Sequence, residues 1–479
     1  MAVVGGGIVG ATAALLLANE GQTVALLEAR RLGHGSTGLS TAKMTYWHHG
    51  WVADLIKQVG VESAHRIVHG ERGALDVVER WTTQLRVEGA AKRCTSWVYG
   101  STEEVRAGLE AEREACAQLE IETRWAAPGE VPYGAFALGL DDQLLIEPSV
   151  VVAAFADHAA SLGAHVHEHS RVVDVQLGDV CELTTENGSV VRAPHVVIAT
   201  QVPILDRSMV FAASKYRRSH VVALEHPGAL EQAPDMYTGL GPGGLSVRAS
   251  RDIDGTPVLI VAGNGHDLDT DEDGSHVDQL ELDARALTGA GARRRAWLAH
   301  DIFPDDGHPF VGPIHGSDNV YIATGYGGWG LSGGVAGAMA IAGLILRGHS
   351  LWQPDQAARR VGPYVSKDAI VEGARTAKKQ VMDRVSTAGT DDVPALERGE
   401  GLVTRVGTKT VAVARDSDGA LQAVEAACTH LGCIVRHDAE RNCWQCPCHG
   451  SRFSLDGEVL QGPATRPLAQ VDPAELDRT

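Results

Sequence analysis

Residues 1–28, MAVVGGGIVGATAALLLANEGQTVALLE, decide the larger part of the fold. Ala2, Val3 and Val4 make a short apolar run, and Gly5 to Gly10 a tight turn. ATAALLLANE (11–20) has helix-forming composition and stops at Gly21, a natural C-cap. TVALLE (23–28) reads as a second, buried strand, so the stretch is a β-α-β unit. Each glycine of Gly5-x-Gly7-x-x-Gly10 has a physical task in such a unit. The first permits the tight turn, the second lets the backbone approach a pyrophosphate, and the third lets helix and strand pack closely. Ile8 and Val9 open the helix, whose N-terminus faces the phosphate charge. Glu28, closing the second strand, would accept hydrogen bonds from ribose hydroxyls. Strand, turn, helix and acid together read as a dinucleotide site rather than a glycine-rich turn without a ligand. Three residues are few for a central strand, which typically has about five or six, so the native start is expected upstream of Met1.

Working outward, ARRLGHGSTGLSTAK (29–43) offers small residues and hydroxyls to a continuing dinucleotide, with Ala29, Arg30, Ser36, Thr37, Ser40, Thr41 and Lys43 as contacts. HVVIAT (195–200) and VYIATG (320–325) read as further buried strands followed by turns, and 151–163 and 331–348 as helices. IATGYGGWGLSGG (322–334) is a second glycine-rich strand-to-helix turn, able to bring backbone amides against an isoalloxazine ring. Gly325, Gly328, Trp329 and Gly330 are its expected contacts, and Val173 and Thr200 complete the cofactor set. These features resemble the D-amino-acid oxidase superfamily of flavoproteins (glycine oxidase, sarcosine oxidase and relatives). DIFPDDGHPFVGPI (301–314) resembles the strand-turn-strand that those enzymes place before the flavin loop. The resemblance covers roughly residues 1–350 and implies non-covalent FAD, with substrate facing the flavin from a mixed sheet. VLIVAGNGHDLD (258–269) is the nearest approach to a second dinucleotide fingerprint, but its third glycine is missing. Electrons are therefore expected from an organic substrate, the alternative being an electron-transfer reductase fed by NAD(P)H or a partner reductase.

The other informative stretch is CTHLGCIVRHDAERNCWQCPCHGS (428–451), which holds five of the chain's eight cysteines. Cys94, Cys116 and Cys181 are scattered and read as buried thiols. Cys428-x-His430 and Cys446-x-x-His449 have the spacing of metal ligands. Two cysteines and two histidines would suit zinc. The flanking sequence, CTHLGC and CPCHGS, instead resembles the two ligand loops of a Rieske [2Fe–2S] protein, where one iron takes two thiolates and the other two imidazoles. The resemblance is to the subtype of cytochrome bc-type complexes. It implies a Cys433–Cys448 disulfide between the loops, Cys443 left as a thiol, and the Ser451 hydroxyl bonded to a bridging sulfide. It also implies that Gly462-Pro463-Ala464 forms the loop covering the cluster. Phe453 stands where the respiratory proteins have a tyrosine, so a potential below the respiratory range is expected.

Length and composition suit two or three globular domains: 479 residues, 44% apolar and 22% charged. The expected architecture is an α/β FAD-binding Rossmann-like domain with a mixed-sheet substrate domain of D-amino-acid oxidase type, plus a C-terminal all-β Rieske domain. The FAD-dependent part spans 1–385, with FAD-binding pieces about 1–90, 145–205 and 295–350 and substrate pieces about 91–144 and 206–294. Residues 351–385 are polar and helical in flavour, 386–395 form the linker, and 396–479 the Rieske domain. A net charge of −19 argues against nucleic acid or an anionic membrane as partner. No leader is visible, and the longest apolar helix, VAGAMAIAGLIL (335–346), is too short to span a bilayer, so a cytoplasmic protein is expected.

The whole chain resembles a bacterial family of FAD-dependent oxidoreductases with a C-terminal Rieske domain. That resemblance gives architecture better than reaction; the reaction expected is oxidation of a C–N bond in an amine or amino-acid-like substrate, with electrons passing from flavin to cluster and on to an unknown acceptor. Tyr46, His48, Arg248, Tyr326 and Trp329 are the substrate-side candidates, each weighed against simple core packing. Glu62-x-x-His65-x-x-x-His69 could supply an oxygenase iron site, and His165-x-His167-x-His169 another metal. A solvated helix face and an exposed strand are the plainer readings of these two.

Overall fold

A computed structural model describes residues 1–205, 207–228, 235–268, 275–350, 357–360, 393, 396–439 and 441–473. Apart from residues 357–360 and 393, the helical segment 351–385 and the linker 386–395 lie outside the described residues.

The opening β-α-β unit forms strand Ala2–Val4, helix Ile8–Asn19 and strand Ala25–Leu27. The helix stops where expected, with Gly21 in the left-handed region at φ 74°. These strands are central in a six-stranded sheet ordered Phe310–Pro313, Val320–Thr324, Val196–Ile198, Ala2–Val4, Ala25–Leu27, His165–His167. All its pairs are parallel except the outermost, Phe310–Pro313 with Val320–Thr324. Ala2–Val4 is no shorter than the two strands flanking it, so its length matches the sheet around it. Helices Ile8–Asn19, Pro148–Ser161 and Ser332–Arg347 supply apolar faces to the core beneath it. Close packing rests on Gly10, where a methyl group would lie 1.8 Å from the Gly5 carbonyl oxygen.

A second, mixed sheet runs Arg293–Pro304, Ser214–Glu225, Pro257–Asp267, Ser246–Arg251, Met236–Gly239, Ala91–Gly100, Phe136–Ile146, Lys43–Met44. It is antiparallel except where Met236–Gly239 meets Ala91–Gly100. Gly263 and Gly265, the partial second fingerprint, lie within strand Pro257–Asp267 between antiparallel neighbours rather than in a strand-to-helix turn. The C-terminal part is all β: an antiparallel sheet of Gly401–Val406, Lys409–Arg415 and Leu421–Glu425, and a four-stranded one from Arg436–Asp438 to Val459–Gln461. The long helix Val52–Gln84 bends at Gly60 (φ 78°, ψ 164°). Its Glu62 points into solvent and pairs with Arg66 at 2.8 Å, away from His65 and His69. His165, His167 and His169 are exposed. Neither group converges on a metal position among the described residues.

Candidate functional site

A cavity of about 710 Å³ runs along the C-terminal edge of the central strands and under the mixed sheet. Gly5, Gly7, Ile8, Val9, Glu28, Ala29, Arg30, Ser36, Thr37, Ser40, Thr41, Lys43, Thr200, Gly325, Gly328, Trp329 and Gly330 line it. Of the expected cofactor contacts, Gly10 and Val173 do not. Gly10 faces the strand behind it, and Val172 lines the cavity in place of Val173, because alternate strand residues face opposite ways.

The chemistry of the lining fits FAD. Helix Ile8–Asn19 has no acidic residue in its first turn, so its N-terminal dipole is left for a pyrophosphate. Gly5 holds φ 104°, and a side chain there would strike the Ala199 carbonyl at 2.5 Å. The Gly6 and Arg30 N–H groups donate to the Glu28 carboxylate at 2.7 and 2.8 Å. These bonds fix the acid at the wall with lone pairs remaining for ribose hydroxyls.

The far end of the cavity is built by the mixed sheet and the loop Gly325–Leu331. Tyr326 and Trp329 line it, whereas Tyr46, His48 and Arg248 pack behind it. His48 is stacked between Trp51 and Trp329 at 4.5 and 4.9 Å, with its Nε2 2.7 Å from Glu71 Oε2. Gly333 and Gly337 make room for the Tyr326 ring: methyl groups there would come within 2.8 and 2.5 Å of it. Part of this glycine-rich segment thus seats an aromatic ring rather than a cofactor.

Lys43, Asp301 and His49 are among the cavity groups with displaced protonation. Lys43 donates to Tyr237 O, to Ser246 Oγ at 2.8 Å and to Thr238 Oγ1 at 3.4 Å. Burial, helped by the nearby Arg248 charge, lowers its ammonium to about 7. Burial raises the Asp301 carboxyl to about 6. His49, in the left-handed region at φ 35°, is lowered to about 4 by burial and then by His48. Sequence reasoning missed His49, Thr238 and Ser246, which no local motif marks, and gave no role to Asp301, although it opens the segment 301–314.

In the C-terminal domain, Cys428–Gly432 and Cys446–Gly450 form the same turn twice. In each, a glycine N–H donates back to the first cysteine carbonyl, at 2.9 and 3.1 Å. Cys433 and Cys448 form the disulfide joining the loops. The Cys428 and Cys446 thiols are buried and share a hydrogen bond, which lowers Cys428 and raises Cys446. The rings of His430 and His449 stand 5.0 Å apart at 89°. Burial pushes His430 to about 4 and His449 to about 3, so both are neutral, as ligands must be. Cys446 also lies within 4.8 Å of both disulfide sulfurs, but those are bonded to each other, which leaves two thiols and two imidazoles as donors. That donor set fits a [2Fe–2S] cluster of mixed ligation. The Ser451 hydroxyl accepts from Ala464 N–H at 3.0 Å, keeping its own proton to donate. Cys443 is a buried thiol raised to about 11, and Phe453 is fully buried beside the ligand loops.

The two sites share a wall. Gly450, Arg452, Leu460, Gln461, Gly462, Ala464 and Thr465 also line the FAD-type cavity. The His449 ring meets the edges of Tyr216 and Phe211 at 5.2 and 5.7 Å. His300 lies over Gly450, its Nδ1 3.4 Å from Gln461 Nε2, and Arg171 Nη2 donates to the Val459 carbonyl at 3.2 Å.

Residues 1–344 match the family model for FAD dependent oxidoreductases, and 384–472 that for the Rieske [2Fe-2S] domain. The Rieske 2Fe-2S iron-sulfur protein YhfW of Bacillus subtilis is 26% identical over 476 residues, 98% of this chain and 92% of that protein. The cytochrome b6-f complex iron-sulfur subunit of Chlorobaculum tepidum is 37% identical over 93 residues, 19% of this chain, which spans 49% of that subunit. Two solved structures share the fold of the larger part. L-proline dehydrogenase from P. horikoshii has TM-score 0.63 at 17% identity, covering 75% of this chain and 96% of that one. Glycine oxidase from Geobacillus kaustophilus has TM-score 0.62 at 19% identity, covering 75% and 98%. No helix among the described residues is long and apolar enough to cross a membrane. With cavity, donor set and comparisons in agreement, the chain belongs to the FAD dependent oxidoreductase family, and its C-terminal end is a Rieske [2Fe–2S] domain.

Proposed function

We propose that the protein oxidises a C–N bond of an amine or amino-acid-like substrate and passes the electrons through its Rieske cluster to an acceptor outside the chain. The observation that carries this reading is the shared wall: a cluster-ligand loop lines the same cavity as the dinucleotide turn. The substrate class rests on relatives of the same fold, among them a glycine oxidase, an L-proline dehydrogenase, an iminodiacetate oxidase and L-amino acid deaminases. Bound FAD supplies two-electron oxidation and the cluster one-electron transfer. The substrate gives up a hydride from the carbon beside nitrogen, and water hydrolyses the resulting imine. Lys43, near 7 on the cavity wall, exchanges a proton with an amine around neutrality. Tyr326 and Trp329 shape the substrate end, and the docked ligand loop keeps bulk water out of the far wall. The setting we propose is the cytoplasm.

The test is anaerobic mixing of purified, iron-loaded protein with a panel of amines and amino acids, then with NAD(P)H. Flavin absorbance and the Rieske EPR signal are followed together. Bleaching by an amine followed by growth of the EPR signal supports the reading. Reduction by NAD(P)H alone would make the protein a reductase and discard the substrate class.

A further inference from the structure

Three histidines from three elements meet where helix Ser275–Thr288 packs against the mixed sheet. His220 lies in strand Ser214–Glu225, His266 in the adjacent strand Pro257–Asp267, and His276 in the first turn of helix Ser275–Thr288. Their ring centroids form a triangle with sides of 5.2, 5.4 and 4.8 Å. His220 Nε2 and His266 Nε2 are 3.1 Å apart.

The local backbone is shaped to bring the three rings together. The register between the two strands shifts between Arg218 and His220, a bulge of the kind that re-aims side chains. On the partner strand Asn264 takes the left-handed region at φ 49°, and its side-chain amide donates to the His276 carbonyl at 3.2 Å. The start of the helix is thereby tied to the strand that carries His266. His220 is buried at 2% exposure, while His266 and His276 are half-buried among the described residues. A small cavity lined by Asn264, Gly265, His266, Ser275, His276 and Gln279 opens beside them.

The dimensions suit coordination. A zinc-class ion holds imidazole nitrogens at about 2.0–2.1 Å, which puts adjacent ligand atoms roughly 3.3 Å apart and adjacent ring centres about 5 Å apart at tetrahedral angles. The observed nitrogen pair and triangle have that size. Among the described residues, only Cys433, Cys446 and Cys448 already place three ligand atoms within 4.8 Å, so the His276 ring must turn about its side-chain torsions to complete the set. We propose that His220, His266 and His276 bind one divalent transition-metal ion of the zinc class, the bulge presetting two ligands and the first helical turn delivering the third. The remaining position, toward the small cavity, would take water or a small anion.

Zinc titration of the tag-free, full-length holoprotein by calorimetry, with metal analysis after gel filtration, tests this. His266→Gln and His276→Gln are compared with parent protein and with a His165→Gln/His167→Gln control on the exposed strand. FAD content and the cluster spectrum of each variant report its fold. The expected result is one zinc per chain beyond the iron in parent and control, weakened at least tenfold in both single variants, with binding restored by His276→Cys. No zinc beyond background in the parent, unchanged affinity in the single variants, or equal loss in the control would each overturn the proposal.

Discussion

The shared wall makes a demanding prediction at Gly450. This residue sits at φ 80°, and a methyl group there would lie 2.5 Å from His300 Cε1, 3.1 Å from Nε2 and 3.2 Å from Nδ1. Gly450→Ala therefore combines about 1–2 kcal/mol for an L residue in the left-handed region with about 1–3 kcal/mol for overpacking against a buried ring. The imidazole cannot absorb the clash by a small rotation, because all three nearest atoms belong to the same ring. His300→Ala alone removes a buried ring and carries its own cavity cost, which the cycle subtracts. In Gly450→Ala/His300→Ala the clash is gone, and beyond the cost of losing His300 only the backbone cost remains. The cycle should therefore show a favourable coupling of about 1–3 kcal/mol, the overpacking recovered. The assay is urea unfolding of the four proteins, followed by flavin fluorescence and Rieske circular dichroism. The two signals are expected to fall together in the parent and to separate in Gly450→Ala. Coupling within about 0.5 kcal/mol of zero, the range for independent sites, would refute the docking of the ligand loop on His300.

Three further outcomes are expected. Cys448→Ser opens the bridge between positions 15 residues apart and should cost the Rieske domain about 3 kcal/mol; an unchanged denaturation midpoint for the cluster signal would contradict it. Phe453→Tyr should raise the cluster potential by about 20–60 mV, one neutral hydrogen bond of about 0.5–1.5 kcal/mol converted at about 59 mV per tenfold. An EPR-monitored titration with no shift rules out a hydrogen bond from that position. Asp301, raised by burial from 3.8 to about 6, favours the folded state most below its unfolded value and loses that contribution as pH rises through about 6. Asp301→Asn should be more stable than the parent above pH 7 by about 3 kcal/mol and flatter in between, and parallel stability curves from pH 4.5 to 8 would dispose of the buried carboxyl.

What was legible in the sequence is what is encoded within a turn or two of chain. Gly10 must be glycine for a reason five residues away, the Gly5 carbonyl 1.8 Å from where a methyl would go. The spacing of the turn marks Gly5 and Gly7 with it, although the atoms that crowd those two, the Ala199 carbonyl and the Thr37 hydroxyl, come from distant chain. Cys428, His430, Cys446 and His449 are legible because donor chemistry restricts residue type. Legibility fails where a single step of register decides. Val172 rather than Val173, and His49 rather than adjacent His48, line the cavity. Sequence carries no mark of which of two neighbours faces inward when both are apolar or both imidazole. Lys43 was placed near the cofactor, but its partners Tyr237, Thr238 and Ser246 lie some 200 residues away. Its lowered ammonium comes from that enclosure and from no neighbour in the chain.

The contact between the two domains is the extreme case of this asymmetry. A thiolate or imidazole ligand must be cysteine or histidine, so a cluster site writes itself into the sequence. The docking of that site is held by an arginine reaching a backbone carbonyl at Val459, an amide against a ring at Gln461, and the absence of a side chain at Gly450. A backbone carbonyl is offered by every residue, and a glycine beside His449 has a local reason to be there in any case, since it closes the ligand turn at φ 80°. The same atomless position thus satisfies a local turn and a distant ring at once. Only the three-dimensional arrangement separates the two demands, and only the His300 half of the double-mutant cycle can measure the second without the first.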